Sequence, residues 1–130
     1  MNNIISDLKV KKAFSSATPV SDDAIKKAEE ELSLHFSPEY REYLKNYGVA
    51  SFYGHELTGL SNSNRLNVIN VTKEEKSLND KISKDFYVIE QTDIDGIVIW
   101  QSSDGSIYQS VPGCAPKKIY SSFSEYISSC

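Results

Sequence analysis

The sequence holds little of what most catalytic and cofactor-binding motifs need. His35 and His55 are its only two histidines, and neither has a second histidine or a cysteine one helical turn away, so the usual spacing of a zinc site is missing. The two cysteines, Cys114 and Cys130, form no C-x-x-C pair and read as free thiols of a reducing compartment rather than as a disulfide. The six glycines are isolated, so there is no Gly-rich loop to cradle a phosphate, and no G-x-S-x-G elbow presents a serine. No cofactor and no metal is therefore expected. A run of about twenty apolar residues, the length a bilayer requires, is also missing. The opening "MNNIISDLKVKKAF" has no uninterrupted apolar core of the kind a secretory leader carries, which leads us to expect a cytoplasmic protein. A net charge of −4 speaks against direct binding of nucleic acid, which needs a concentrated basic surface.

What is present describes one folded domain over residues 1–130, with 39% apolar and 25% charged residues, long enough to bury a core without staples. Ile4, Ile5 and Leu8 fall at helical spacing in a first segment over 2–14, followed by a polar linker "SSATP". Ser21 is placed to cap a second helix, with Asp22 and Asp23 at its positive end and Ile25, Ala28 and Leu32 on one stripe. In "SPEYREYLKNYG" Ser37 caps, Pro38 opens and Gly48 ends a third helix. There Tyr40, Tyr43, Leu44 and Tyr47 share a face, which marks the tyrosines as core, while Glu39, Arg41, Glu42 and Lys45 face water.

After Gly48 the pattern turns to strands. "VASFYG" and "HELTGL" are broken by Gly54, and Thr72 with Glu75 forms a capping box for a short helix ending near Asn79. "FYVIEQ" is a strand, and "IVIWQSS" and "SIYQSV" form a hairpin around Asp104-Gly105, the dipeptide of a type I′ turn. Residues 97–100 are apolar on both faces and predict a central strand covered on both sides. "KKIY" is an edge strand, and Ser122 with Glu125 caps a last helix whose Phe123, Tyr126 and Ile127 point inward. This order predicts an α+β fold: a largely antiparallel sheet packed by N-terminal helices and a C-terminal helix.

Two features bear on function. Residues 85–116 hold Asp85, Glu90, Asp93, Asp95 and Asp104 but no lysine or arginine. Placed at strand ends and turns, these acids make a one-signed surface that steers a basic partner, or serve solubility alone. Tyr53 and Tyr108 are candidate aromatic anchors of an interface, with core packing as the alternative. For chemistry, Asp93 and Asp95 are too close in one turn to work across a glycosidase-like cleft, and Cys114, near Lys117 and Lys118, is the remaining nucleophile candidate. A small hydrolase built on either stays a distinct alternative.

Residues 21–60 resemble the SUKH superfamily, which includes bacterial toxin-immunity proteins and a fungal cell-wall-synthesis regulator. The resemblance rests on the acidic start at Asp22 with Leu32, the Pro–aromatic–Leu–Gly order of "SPEYREYLKNYG", the Gly-Leu ending of "HELTGL", and the closing "SSFSEYI". It implies a SUKH-like domain without catalytic residues. Its function would be that of an immunity protein, which binds a cognate secreted or contact-delivered toxin, such as a nuclease, and occludes its active face. The alternative is a non-catalytic adaptor of the same fold in a regulatory complex. The expected contact residues are Tyr53, Glu90, Asp93, Asp95, Asp104 and Tyr108.

Overall fold

Side-chain caps set the helix starts in the structure, a computed structural model that describes residues 3–130. Asn3 Oδ1 accepts the Ile5 amide (3.0 Å) to open α1 (Ile4–Lys9). The expected first segment is shorter than 2–14, and its first residue, Asn2, lies outside the described residues. Ser21 Oγ accepts from Ala24 to open α2 (Asp22–Leu32), and Ser37 Oγ accepts from Tyr40 to open α3 (Pro38–Tyr47). Ser122 does the same for Glu125 at α5 (Phe123–Ser129). Each cap fills one amide that the first turn leaves without a partner.

The remaining helix departs from expectation. α4 (Val68–Leu78) starts one turn early, because Asn67 Oδ1 accepts the amides of Ile69 and Asn70. Thr72 is therefore no cap. It lies fully buried in mid-helix, and its Oγ1 accepts the Val88 amide at 3.0 Å, tying the helix to the sheet. Two residues expected to face water are also engaged. Glu39 accepts the Phe123 and Ser124 amides at the start of α5, and Arg41 bonds Glu29 at 2.8 Å.

The strands form two antiparallel sheets, β1 (Ser15–Ser16)–β2 (Ala50–Phe52)–β3 (His55–Glu56) and β4 (Tyr87–Gln91)–β5 (Val98–Gln101)–β6 (Ile107–Ser110)–β7 (Lys117–Tyr120). The presumed linker "SSATP" thus contributes a strand. Leu57 bridges to Glu90 and the Thr58 amide donates to Ile89 O (2.9 Å), which joins the sheets. The β5–β6 connection is not type I′. The Gly105 amide bonds Ser102 O (2.9 Å), Gly105 has φ +96°, and among the described residues neither Ser103 nor Asp104 has positive φ. This is the longer hairpin loop in which a glycine bulge follows the turn. The Asp104 carboxylate accepts from Ser102 Oγ and from the Ser106 amide, which holds that turn in place.

β5 is an interior strand, buried along its length. Ile99 enters the main core with the side chains of α1, α3 and α5, while Val98 and Trp100 enter a second cluster with Val71 of α4 and Phe86. The tyrosines of α3 bind that core to the sheet. Tyr40 OH lies 2.9 Å from Thr58 Oγ1, Tyr43 OH donates to Thr58 O (2.6 Å), and the same Tyr43 oxygen accepts the Ala50 amide (2.9 Å). Tyr87 OH donates to Gln101 Oε1 and accepts the Ser37 amide.

Burial pushes the hydroxyls of Tyr40, Tyr43 and Tyr87 well above the usual tyrosine range. The folded state favours their protonated form, so their contribution is full below the unfolded value of about 10 and falls as pH rises beyond it. We expect an absorbance titration at 295 nm to leave these three, and Tyr126, which burial and the neighbouring Glu90 also raise, silent until the protein unfolds in alkali. Tyr43→Phe strands two buried backbone groups, and urea denaturation should show a loss of about 2–4 kcal/mol.

Candidate functional site

Antiparallel order sorts the turns by end. The Tyr53–Gly54 tip of the β2–β3 hairpin, the 92–97 turn and the 111–116 turn share one end, and the 102–106 turn is at the other. The 92–97 and 111–116 turns touch: a Cβ on Gly96 would fall 2.8 Å from Pro112 Cγ. The 92–97 turn is cross-braced by Thr92 N–H to Ile97 O (3.2 Å), Ile97 N–H to Ile94 O (2.9 Å) and Thr92 Oγ1 to Ile97 O (2.9 Å). Asp93 (φ 58°), Asp95 (φ 52°) and Gly96 (φ 71°) take the left-handed conformation, which aspartate tolerates better than most side chains. Asp93, Ile94 and Asp95 are all exposed.

Of the six residues expected at an interface, three share this end. Tyr53 is exposed at the hairpin tip with Lys12 Nζ 5.8 Å from its ring centroid, and it stands with Asp93 and Asp95. Asp104 is exposed but occupies the opposite end, so the acids of 85–116 do not form one surface. Tyr108 is half-buried on the α4 face of β6, its ring 4.4 Å from that of Phe86, in the packing role that was its alternative. Glu56 is neutralised by a two-pronged bond from Arg65 (2.7 and 2.8 Å), which holds its carboxyl below the usual range. Neither Asp93 nor Asp95 makes an ion pair among the described residues.

Glu90 is not on a surface at all. It is 3% exposed, with His55 Nδ1 2.9 Å from its carboxylate and Tyr126 OH donating to it from α5. A register shift between Val88 and Glu90 explains the reversal. Strict alternation would put Glu90 on the face of Val88, beneath α4. The bulge inserts a residue, so Ile89 and Glu90 both reach the side where α5 packs. Nothing in the residue string marks that insertion. A histidine and a tyrosine on elements far apart in sequence were the remaining clue.

The other chemistry candidates are held apart. Cys114 is exposed in the 111–116 turn, whereas His35 is beside the opposite turn, its carbonyl accepting from Ser103 Oγ, and His55 is engaged by Glu90. Burial and the charge of Glu90 push the Cys130 thiol up, away from an activated thiolate. Among the described residues no group of three His, Cys, Asp or Glu is arranged to hold a metal, and no helix is long and apolar enough to cross a membrane. A hollow of about 570 Å³ opens along α2 over Ile25 and Leu34, and its Glu29 is already paired with Arg41. The molecule thus offers braced, exposed turns over an interior in which Glu90 and Glu29 are hydrogen-bonded.

A family model described as SUKH_5, SMI1-KNR4 cell-wall, matches residues 1–130. No curated protein matches the chain.

The buried Glu90 carboxylate depends on its two partners. We expect His55→Leu to cost about 2–3 kcal/mol in urea denaturation at pH 7, the scale of a lost hydrogen bond to a buried carboxylate. Adding Glu90→Gln to that variant should restore part of the loss, because a neutral amide tolerates burial better than an unpaired carboxylate.

Proposed function

The chain belongs to the SUKH superfamily, in its SMI1-KNR4 branch, and on that premise we propose that it is an intracellular immunity protein that binds and blocks a toxin domain. The observation that carries this reading is the end of the sheet where Tyr53, Asp93, Ile94 and Asp95 stand exposed on braced turns. Rigid presentation lowers the ordering cost of binding, and carboxylates without ion-pair partners attract a basic surface. A nuclease, which handles a polyanion, commonly carries such a surface over its active site. Covering it requires shape and charge, with no bond made or broken, so the protein acts stoichiometrically and in the cytoplasm, where the toxin would act.

An adaptor role in a regulatory complex is the second reading, since the matching family description names the cell wall. Gene order separates the two. The immunity reading expects a toxin gene immediately upstream, and co-expression with its product should keep cells alive that die without this protein. Death in both cases overturns it.

The geometry also sets apart the acidic residues. Asp93→Lys with Asp95→Lys should slow association with the toxin domain about tenfold or more at about 0.1 M salt, measured by stopped flow. Asp104→Lys, at the other end of β5, should leave the rate within about twofold, because steering charges act over roughly a Debye length of 10 Å. Equal slowing by both changes would remove the assigned face.

A further inference from the structure

The chain contains two Asp-Gly pairs, Asp95-Gly96 and Asp104-Gly105. This dipeptide has a slow chemistry of its own, because glycine places no side chain beside its nitrogen and the aspartate carboxyl carbon is within reach. When that nitrogen attacks, a C–N bond forms, and the carboxyl hydroxyl leaves with the amide proton as water. The product is a cyclic imide. Solvent water then opens it at either carbonyl. One opening restores aspartate, and the other leaves isoaspartate, whose main chain runs through the former side-chain carbon.

At the 102–106 turn every reacting group is engaged. The Asp104 carboxylate accepts from Ser102 Oγ and from the Ser106 amide (2.9 Å), which hold the carboxyl below its usual range and deplete the neutral acid that sheds water. The Gly105 amide, the nucleophile, donates to Ser102 O (2.9 Å), and Gly105 is buried. Hydrogen bonds to a charged group are the stronger kind, and all three bonds must break before a ring closes here.

The 92–97 turn has the opposite arrangement. The Ile97 amide donates to Ile94 O (2.9 Å) across Asp95 (φ 52°) and Gly96 (φ 71°), the two positive φ angles of a type I′ turn. That bond occupies neither reacting atom. Among the described residues the Gly96 amide has no acceptor, and the Asp95 carboxylate has neither a hydrogen-bond donor nor an ion-pair partner. Both residues are exposed to water. Swinging the Asp95–Gly96 peptide towards the carboxyl gives up one neutral backbone bond, and the left-handed backbone it leaves is itself unfavourable for a residue with a side chain.

We infer that Asp95-Gly96 is a site of spontaneous imide formation and isoaspartate conversion in the folded protein, while Asp104-Gly105 is protected. The chemistry stands apart from the partner-binding reading, and its consequence rests on that reading. Isoaspartate lengthens the backbone of the turn by one carbon and shortens the arm of its carboxylate, so an aged molecule presents a displaced charge to the toxin.

Residues 85–116 hold no lysine or arginine, so trypsin releases both pairs in one peptide. The whole protein is aged at neutral pH and body temperature in water enriched in heavy oxygen, which each ring opening incorporates. After digestion in ordinary water, fragmentation of that peptide locates the label. Label at Asp95 should exceed label at Asp104 at least about tenfold, a barrier difference of about 1.4 kcal/mol, with isoaspartate accumulating at Asp95. Protein aged unfolded in urea should label the two sites alike, which shows that the fold makes the difference. Ser102→Ala removes one partner of the Asp104 carboxylate, and should raise label at Asp104 while leaving Asp95 as it was. Equal label at both sites of the folded protein, or label at neither, overturns the inference. An unchanged Asp104 in Ser102→Ala removes the protective role given to that carboxylate's hydrogen bonds. Isoaspartate at Asp95 that leaves toxin association unchanged overturns the assigned face and keeps the modification site.

Discussion

Thr58 is the residue on which the rest of the structure closes. It sits in the segment that joins the two sheets, and every polar group it has is used. Its amide donates to Ile89 O and its Oγ1 donates to Val88 O, so the Tyr40 hydroxyl, facing an oxygen whose proton is spent, must donate to it. Its carbonyl takes the Tyr43 hydroxyl. α3 is thereby fastened to β4 through two aromatic side chains that also fill the core. The adjoining backbone is equally tight, since a Cβ on Gly59 would fall 1.9 Å from Gly48 O. The seam admits only glycine where the end of α3 meets that strand.

The elements that sequence revealed are those whose causes are local. Ser21, Ser37 and Ser122 cap within three residues of themselves, and the tyrosine stripe of α3 is read at helical spacing. What stayed hidden depends on distant chain. Thr72 and Glu75 spell a capping box, but Asn67 caps first and the sheet claims Thr72 through the Val88 amide. Ser15 and Ser16 have no strand-like composition and become a strand because Ala50 and Ser51 lie alongside. Asp104-Gly105 suits the tightest hairpin, yet the loop is longer because the Asp104 carboxylate closes on the Ser106 amide.

The same division runs through the candidate site. Asp93 and Asp95 were legible because one turn holds both. Asp104 is close to them in sequence and far in space, since β5 runs from one turn to the other. Glu90 was misplaced by a single inserted residue. Leu78 and Val111 come from a helix end and a turn, so no window of sequence shows that they border one hollow. Glu90, Glu29 and Glu39 spend their charge on partners inside the fold, and Asp93 and Asp95 stand exposed beside Ile94 with no ion pair among the described residues.

The sheet borders narrow how another chain can approach. One border is β1, only two residues long and made of serine, and the other is β7, which opens on Lys117 and Lys118. Short strands and lysines are poor templates for adding a further strand. A visiting protein would therefore gain little by lying alongside either margin, and the proposed interface, on the turns at one end, would be met end-on through side chains. On that reading selectivity would rest on a few turn residues, carried by a scaffold that does not itself touch the partner.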